Sequence, residues 1–344
     1  MEFVTLDPGQ FEYGVGAEIV PGVVRLVAEN PSKFTYRGTG TYIVGEGDDV
    51  AVIDPGPLLD AHRNALDSVL GGRDVRSILI THCHADHSPL AAWLRAETGA
   101  PTYAFGPHGA ATAAWDIGTL PDDFGRPEKS DPDHTGATGA DDADGDDADG
   151  EPKVEESTDT AFVPDVEVRS GDAVFDDGAV SITALHTPGH TSNHTCFALS
   201  SPAAGRVLFT GDHVMGWSTT VVSPPDGDMG DYMNSLRMVA GRRDDLAIPT
   251  HGSPIANPGR FVGDLVDHRL ERERQVLDVV RRGRSTIPEI VTELYRDVRV
   301  ELHRPAGSSV LGHLVKLVDE GEIAVEAIDG APPQPRLDAT FRAC

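Results

Sequence analysis

Between positions 81 and 87 the chain reads THCHADH, directly behind the apolar run RSILI. Three histidines and an aspartate in seven residues leave few folds open. His82, His84, Asp86 and His87 all carry lone pairs that suit a metal, and they are not buried together cheaply without one. A polar turn that happens to be rich in histidine fails on that density, so the loop reads as a metal cradle. RSILI has the length and content of a buried strand, and SPLAAWLRAETG behind the loop has helical spacing and closes on a glycine. Strand, loop, helix puts the histidines at the carboxyl end of a strand, where αβ proteins build sites.

Three later stretches repeat that placement with one ligand type each. ITALHTPGH brings His190, VLFTGD brings Asp212 and AIPTHG brings His251, each just past an apolar β run. A lone loop histidine carries little weight, whereas joint recurrence at strand ends is a strong signal. Cys83, between two of the ligands, reads as a small spacer because histidine already supplies the set. His186 and His194 read as ordinary strand histidines, and His62, His108 and His134 as surface residues.

The remaining pattern is α/β. VVRLVAE, TGTYIVG and DVAVIDPG read as strands between about 16 and 54. LLDAHRNALDSVL then switches to helical spacing, with Leu59, Leu66, Val69 and Leu70 on one face. After about 162, VEVRSGDAVF, AVSITALHTPGH, HTCFALSS and GRVLFTGD are four more β runs. DMGDYMNSLRMVA is helical, and a long helix covers about 258 to 283. From about 120 to 160 the text collapses into DDADGDDADGE and similar stretches, which cannot bury enough apolar surface to order, so it reads as a disordered acidic insertion. Ser285 or Thr286 ahead of Pro288 and Glu289 opens a helix. GSSVLGHLVKLVDEGEIAVEA gives a helix and then a strand, which makes 285–330 a small winged-helix-like unit.

Charge and cysteine content exclude some partners. Much of the net charge of −28 is concentrated in the acidic insertion, yet the remainder is still acidic and opposes non-specific binding to nucleic acid or anionic membranes. Neither a membrane span nor a secretory signal is legible, and three cysteines fit a reducing compartment, so the expected location is the cytoplasm, with no membrane partner.

THCHADH matches the HxHxDH signature of the metallo-β-lactamase fold, and TPGHT, FTGD and THG resemble its later metal motifs in the same order. The likeness runs through 15–260 apart from the acidic insertion. It implies an αββα sandwich with the ligands converging where two sheets meet at one edge. By motif position it implies two Zn2+ ions: His82, His84 and His190 on one, Asp86, His87 and His251 on the other, and Asp212 between them. ENPSKFTYRGTGTYIVG, GDHVMGWSTTVVSPPDGDMGDYMNSL and HRLERERQVLDVV resemble the β-lactamase-like-protein-2 branch, which also ends in a winged-helix-like unit. The implied organisation is a catalytic domain over 1–260, a connecting helix over 261–284, a winged-helix-like domain over 285–330 and a tail over 331–344. A histidine at 84, where the di-iron branch carries Glu, favours zinc, and too few residues separate Asp212 from His251 for the extra domain of the large nucleases. Ser192 and Asn193 depart from the branch, whose members often carry acids there.

The implied chemistry is metal-dependent hydrolysis, with Asp86 also orienting the attacking water and taking its proton. The branch implies single-stranded RNA as substrate. A thioesterase or lactonase of the glyoxalase-II kind is the alternative, because the same cradle serves both. Thr219, Tyr232 and Asn234 are candidates to line the cleft, against a plain reading as turn and helix-surface residues. Arg281, Arg282 and Arg284, with Arg269, Arg272 and Arg274, are candidates for a phosphate-binding strip, against plain ion pairing with Glu271, Glu273 and Asp278 on a solvated face. A DNA-binding regulator is a third reading, opposed by a candidate recognition helix whose only possible cations are His313 and Lys316. The winged unit is therefore expected to pack or to form a homodimer.

Overall fold

The computed structural model describes residues 3–110, 115–125, 157–326 and 333–344. Seven strands form the first sheet in chain order: β1 (Ala17–Val20), β2 (Val23–Val27), β3 (Gly40–Val44), β4 (Asp49–Ile53), β5 (Asp74–Leu79), β6 (Thr102–Ala104) and β7 (Val166–Glu167). Pairing is antiparallel from β1 to β4 and parallel from β4 onward. The second sheet runs β13 (Ile255–Ala256), β12 (Leu246–Pro249), β11 (Gly205–Gly211), β10 (Thr195–Ser201), β9 (Ser181–His186) and β8 (Ala173–Asp176).

Side-chain alternation explains why these strands are apolar on both faces. In β4, Ala51 and Ile53 enter the core between the sheets, where they join Phe197 and Leu199 of β10 and Val207 and Phe209 of β11. Val50 and Val52 face the other way, against Leu66 and Leu70 of α1 (Asp60–Leu70) and Ala91 and Leu94 of α2 (Ala91–Thr98). Cys196, Leu208 and Ala247 form the outer face of the second sheet, beneath α3 (Met229–Ala240) and α4 (Pro258–Arg281). Helix, sheet, sheet, helix is the architecture expected from the sequence. Each fully buried Phe or Leu in these layers contributes roughly 1.5–3 kcal/mol.

The end of α4 supplies Val276, Val279 and Val280 to a separate core with α5 (Ile287–Leu294) and α6 (His303–Asp319). Thr286 and Glu289 form the capping box that starts α5. Here the structure corrects the sequence reading. Phe341–Ala343, expected in a tail, forms β15 and pairs with β14 (Ile323–Val325), and Phe341 is buried in that core.

The acidic insertion is also narrower than expected. Leu120 packs into the same core, and the Arg304 guanidinium holds the carbonyls of Pro121 and Phe124. At its far end, Thr158 bridges to His84, Ser157 accepts from the Ala85 amide, and Cys83 accepts from the Asp159 amide. DDADGDDADGE and His134 lie outside the described residues. His62 is not a surface residue. It is buried on α1, hydrogen-bonded to Thr41 Oγ1 at 2.9 Å, and burial lowers its pKa to about 4.

Candidate metal centre

Four chain segments meet at one edge of the sandwich. The loop after β5 carries His82, His84, Asp86 and His87; the turn after β9 carries His190; Asp212 follows β11 and His251 follows β12. These residues form two clusters, His82, His84, His190 and Asp212 in one and Asp86, His87 and His251 in the other, with ligand atoms within 4.8 Å of one another in each. His84 Nδ1 lies 2.9 Å from His82 Nε2 and 3.2 Å from His190 Nε2. Asp86 Oδ2 lies 3.2 Å from His87 Nε2 and 3.3 Å from His251 Nε2. Asp212 spans the clusters: Oδ2 is 3.8 Å from His190 Nε2, while Oδ1 is 3.4 Å from His251 Nε2 and 3.7 Å from His87 Nε2.

Close approach of backbones makes this convergence possible. Gly189, at φ +138°, admits α3 so closely that a Cβ there would lie 2.3 Å from Tyr232 Cα. Gly211, at φ +50°, leaves room for His194, whose Nε2 would lie 2.6 Å from such a Cβ.

A surrounding set of hydrogen bonds turns the rings. Asp54, at the end of β4 with φ +47°, accepts from the Thr81 amide, the Thr81 and Thr250 hydroxyls and His87 Nδ1 at 2.9 Å. His190 Nδ1 donates to the Val221 carbonyl and His251 Nδ1 to the Gly38 carbonyl. In all three rings this leaves Nε2 turned toward the cluster. The Thr39 hydroxyl donates to Asp86 Oδ2 at 2.7 Å. Sequence reasoning missed Asp54 and Thr39. Asp54 shared the signal used for the ligands, an acid just beyond an apolar strand; Thr39 carried none.

The donor set fits a divalent cation. His87 Nε2 and Asp212 Oδ1 are buried with no hydrogen-bond partner. Burial, reinforced by neighbouring imidazoles, pushes the pKa of His82 well down and that of His84 to about 3, which keeps their lone pairs available. At His251 the Asp212 and Asp86 carboxylates outweigh burial and raise the pKa to about 10. The same carboxylates, with Asp54, hold the His87 pKa well above its ordinary value against burial. Five imidazoles and two carboxylates form an N/O donor set that suits a borderline divalent cation such as zinc.

A cleft of about 460 Å³ opens over the ligands. Phe34, Met215, Val221 and Pro225 give it an apolar side, and His108, Thr158 and Asp226 a polar one; no described lining residue is Lys or Arg. His108, expected on the surface, thus lines the cleft, 3.5 Å from Asp226 Oδ2. His194 is more than a strand residue: it is buried, accepts from the Asp212 amide and pairs with Thr187 Oγ1. His186 is half-buried and stacks on Phe105.

The expected substrate contacts fare differently. Tyr232 is fully buried and donates to the His213 carbonyl, Asn234 is exposed on α3, and Thr219 is half-buried; none of the three lines the cleft. Arg281 pairs with Glu322, and Arg282 and Arg284 share Glu293. Arg269 is buried with its guanidinium on the Thr220 carbonyl, Arg272 lies over the Tyr295 ring, and Arg274 pairs with Glu271. Pairing thus runs across elements as well as along α4.

Residues 36–251 match the family described as the metallo-beta-lactamase superfamily, and 286–330 match the beta-lactamase associated winged helix domain. An atrochrysone carboxyl ACP thioesterase of Aspergillus chevalieri is 29% identical over 91% of this chain and 86% of its own length. A lactamase-like protein of Aspergillus niger is 27% identical over 93% of this chain and 86% of its own length. Among solved structures, a beta-lactamase domain protein from Burkholderia ambifaria has a TM-score of 0.69 at 22% identity, covering 96% of this chain and 94% of that one. A metallo-beta-lactamase family protein from Thermus thermophilus has a TM-score of 0.65 at 22% identity, covering 95% of this chain and 100% of that one.

Proposed function

The chain belongs to the metallo-beta-lactamase superfamily, and on that premise we propose that this metal-dependent hydrolase is a two-zinc thioesterase acting on an acyl thioester. The observation that carries the reading is the cleft: a histidine and aspartate cradle opens into a pocket lined in part by apolar side chains and by no Lys or Arg among the described residues. That lining suits an acyl chain rather than a run of phosphates. The thioesterase name of several relatives supports it. The RNA expectation finds less support, because Arg281, Arg282 and Arg284 pair with Glu322 and Glu293 and none of them lines the cleft. So does the DNA-binding reading: His313 is buried and Lys316 is held by Glu273 and Glu320.

His82, His84 and His190 would hold one ion, Asp86, His87 and His251 the other, with Asp212 shared. Two divalent cations held there would acidify water and polarise the carbonyl oxygen of the thioester. Asp86, fixed by the Thr39 hydroxyl, orients the attacking water and receives its proton on the carboxylate. Phe34, Met215, Val221 and Pro225 hold the acyl group and keep bulk water from it. The leaving thiolate, with a pKa near ~8.5, departs without a general acid. We place the enzyme in the cytoplasm, since Cys83, Cys196 and Cys344 are all unpaired. No helix among the described residues is long and apolar enough to cross a membrane.

Elemental analysis of protein purified without added metal should give about two zinc per chain. A panel of acyl thioesters, a lactone and labelled single-stranded RNA should show thioester turnover that Asp86→Ala abolishes. Less than one zinc with iron in excess would overturn the metal assignment. RNA cleavage or lactone opening beside inert thioesters would overturn the substrate.

A further inference from the structure

The segment 219–227 lies between the metal centre and the winged unit. On its inner side the Val221 carbonyl accepts from His190 Nδ1 at 2.6 Å, and the Thr220 hydroxyl donates to the Asp212 carbonyl at 2.7 Å. The same stretch walls the cleft with Val221, Ser223, Pro225 and Asp226. On its outer side the buried guanidinium of Arg269, in α4, holds the Thr220 carbonyl. Beyond it lies α6, where backbone meets backbone at Gly312. A Cβ at that position would lie 3.1 Å from the Val222 carbonyl oxygen, 3.7 Å from Met229 Cε and 3.9 Å from Pro224 Cδ. Val222 is fully buried at this contact.

We infer that the winged unit is a positioning part of the metal centre: α6, through the contact at Gly312, seats the 219–227 segment and so sets the orientation of His190 and one wall of the cleft. Gly312 acts only through that segment. A side chain there pushes the Val222 backbone inward, and the neighbouring Val221 carbonyl moves with it. His190 then loses the acceptor that aims its Nε2, and the wall shifts with the side chains of Val221 and Ser223. The inference rests on the metal reading of the site and not on the thioester reading.

The test uses the full-length chain stripped of metal with a chelator and titrated with Co(II), whose visible bands report ligand geometry. Gly312→Val should bind Co(II) ~10-fold or more weakly, the usual cost of losing a partner that orients a ligand. Its bands should shift as well. Gly312→Ala should move the same readings in the same direction by less. Gly307→Ala is the control on the same helix, because a Cβ there would meet the end of the Leu120 side chain and Ile287 but no part of the segment. It should bind Co(II) like the parent.

Gly312→Val with unchanged Co(II) affinity and bands would overturn the inference. Should the valine variant fail to fold, Gly312→Ala decides alone: alanine is the better helix former, so α6 is retained, and unchanged affinity and bands in that variant overturn it. A parent chain that takes up no Co(II) would sink the metal reading, and this inference with it. Loss of thioester turnover on every substrate with normal Co(II) binding would sink the thioester reading alone.

Discussion

Asp54 shows at the residue scale how much of a metal site lies outside its ligands. Its carboxylate is fully buried and takes four donors: the Thr81 amide, the Thr81 and Thr250 hydroxyls and His87 Nδ1. Three of those donors belong to the histidine loop after β5 and one to the strand end that carries His251, so a single group ties both sheets to the centre. Asp54→Asn keeps the shape but replaces one acceptor oxygen by an NH2 that opposes a donor. We expect a destabilisation of about 1–3 kcal/mol. We also expect a ~10–100-fold loss of affinity for the ion at Asp86, His87 and His251, read by competition with a chromogenic chelator. Unaltered affinity for both ions would show that the His87 ring is held by packing alone.

At the scale of elements, the winged unit is completed by a strand that the motif pattern left out. β15 pairs with β14 and buries Phe341 against α4, α5 and α6. Ending the chain at residue 332 should therefore strip a layer from this core and leave β14 as an open edge. Phe341→Ala alone should cost about 3–5 kcal/mol. A thermal melt of the truncated chain should show a lowered or split transition; a melt that overlays the full-length curve would remove β15 from the fold's support. Sequence reasoning placed 331–344 in a tail because FRA is too short and too mixed in character to read as a strand. Its partner β14 lies outside any window that contains FRA alone, and only that pairing makes three residues a strand.

For the whole molecule, the decisive quantity is the net charge of −28 around a cleft with no Lys or Arg among its described lining residues. Such a field repels an anionic substrate and leaves a neutral one unaffected, and salt screens the repulsion within a Debye length of about 8–10 Å. The thioester reading then makes a graded demand. kcat/KM for an acyl coenzyme A, which carries phosphates, should rise ~3-fold or more between low and moderate salt, while a neutral acyl N-acetylcysteamine thioester should show little change. A fall with salt for the anionic thioester would mean that a basic patch guides it after all, and would return the arginines at 281–284 to consideration.

Donor type and the presence of strands are local properties, and both were legible. THCHADH, TPGH, FTGD and THG each declare a donor at a strand end, and a short continuous apolar run such as VAVI declares a strand buried on both faces. Those two signals suffice for a sandwich with a histidine- and aspartate-lined edge. What surrounds the ligands depends on chain segments far apart in sequence, so no window of residues contains it. Asp54 reaches His87, Val221 reaches His190, and Gly312 meets Val222 only after the sheets have stacked and the winged unit has docked. Charge followed the same division. The count of arginines in α4 is written in the sequence. Which charges lie beside Arg281, Arg282 and Arg284 was set by the fold, which brings Glu322 and Glu293 to them from other elements.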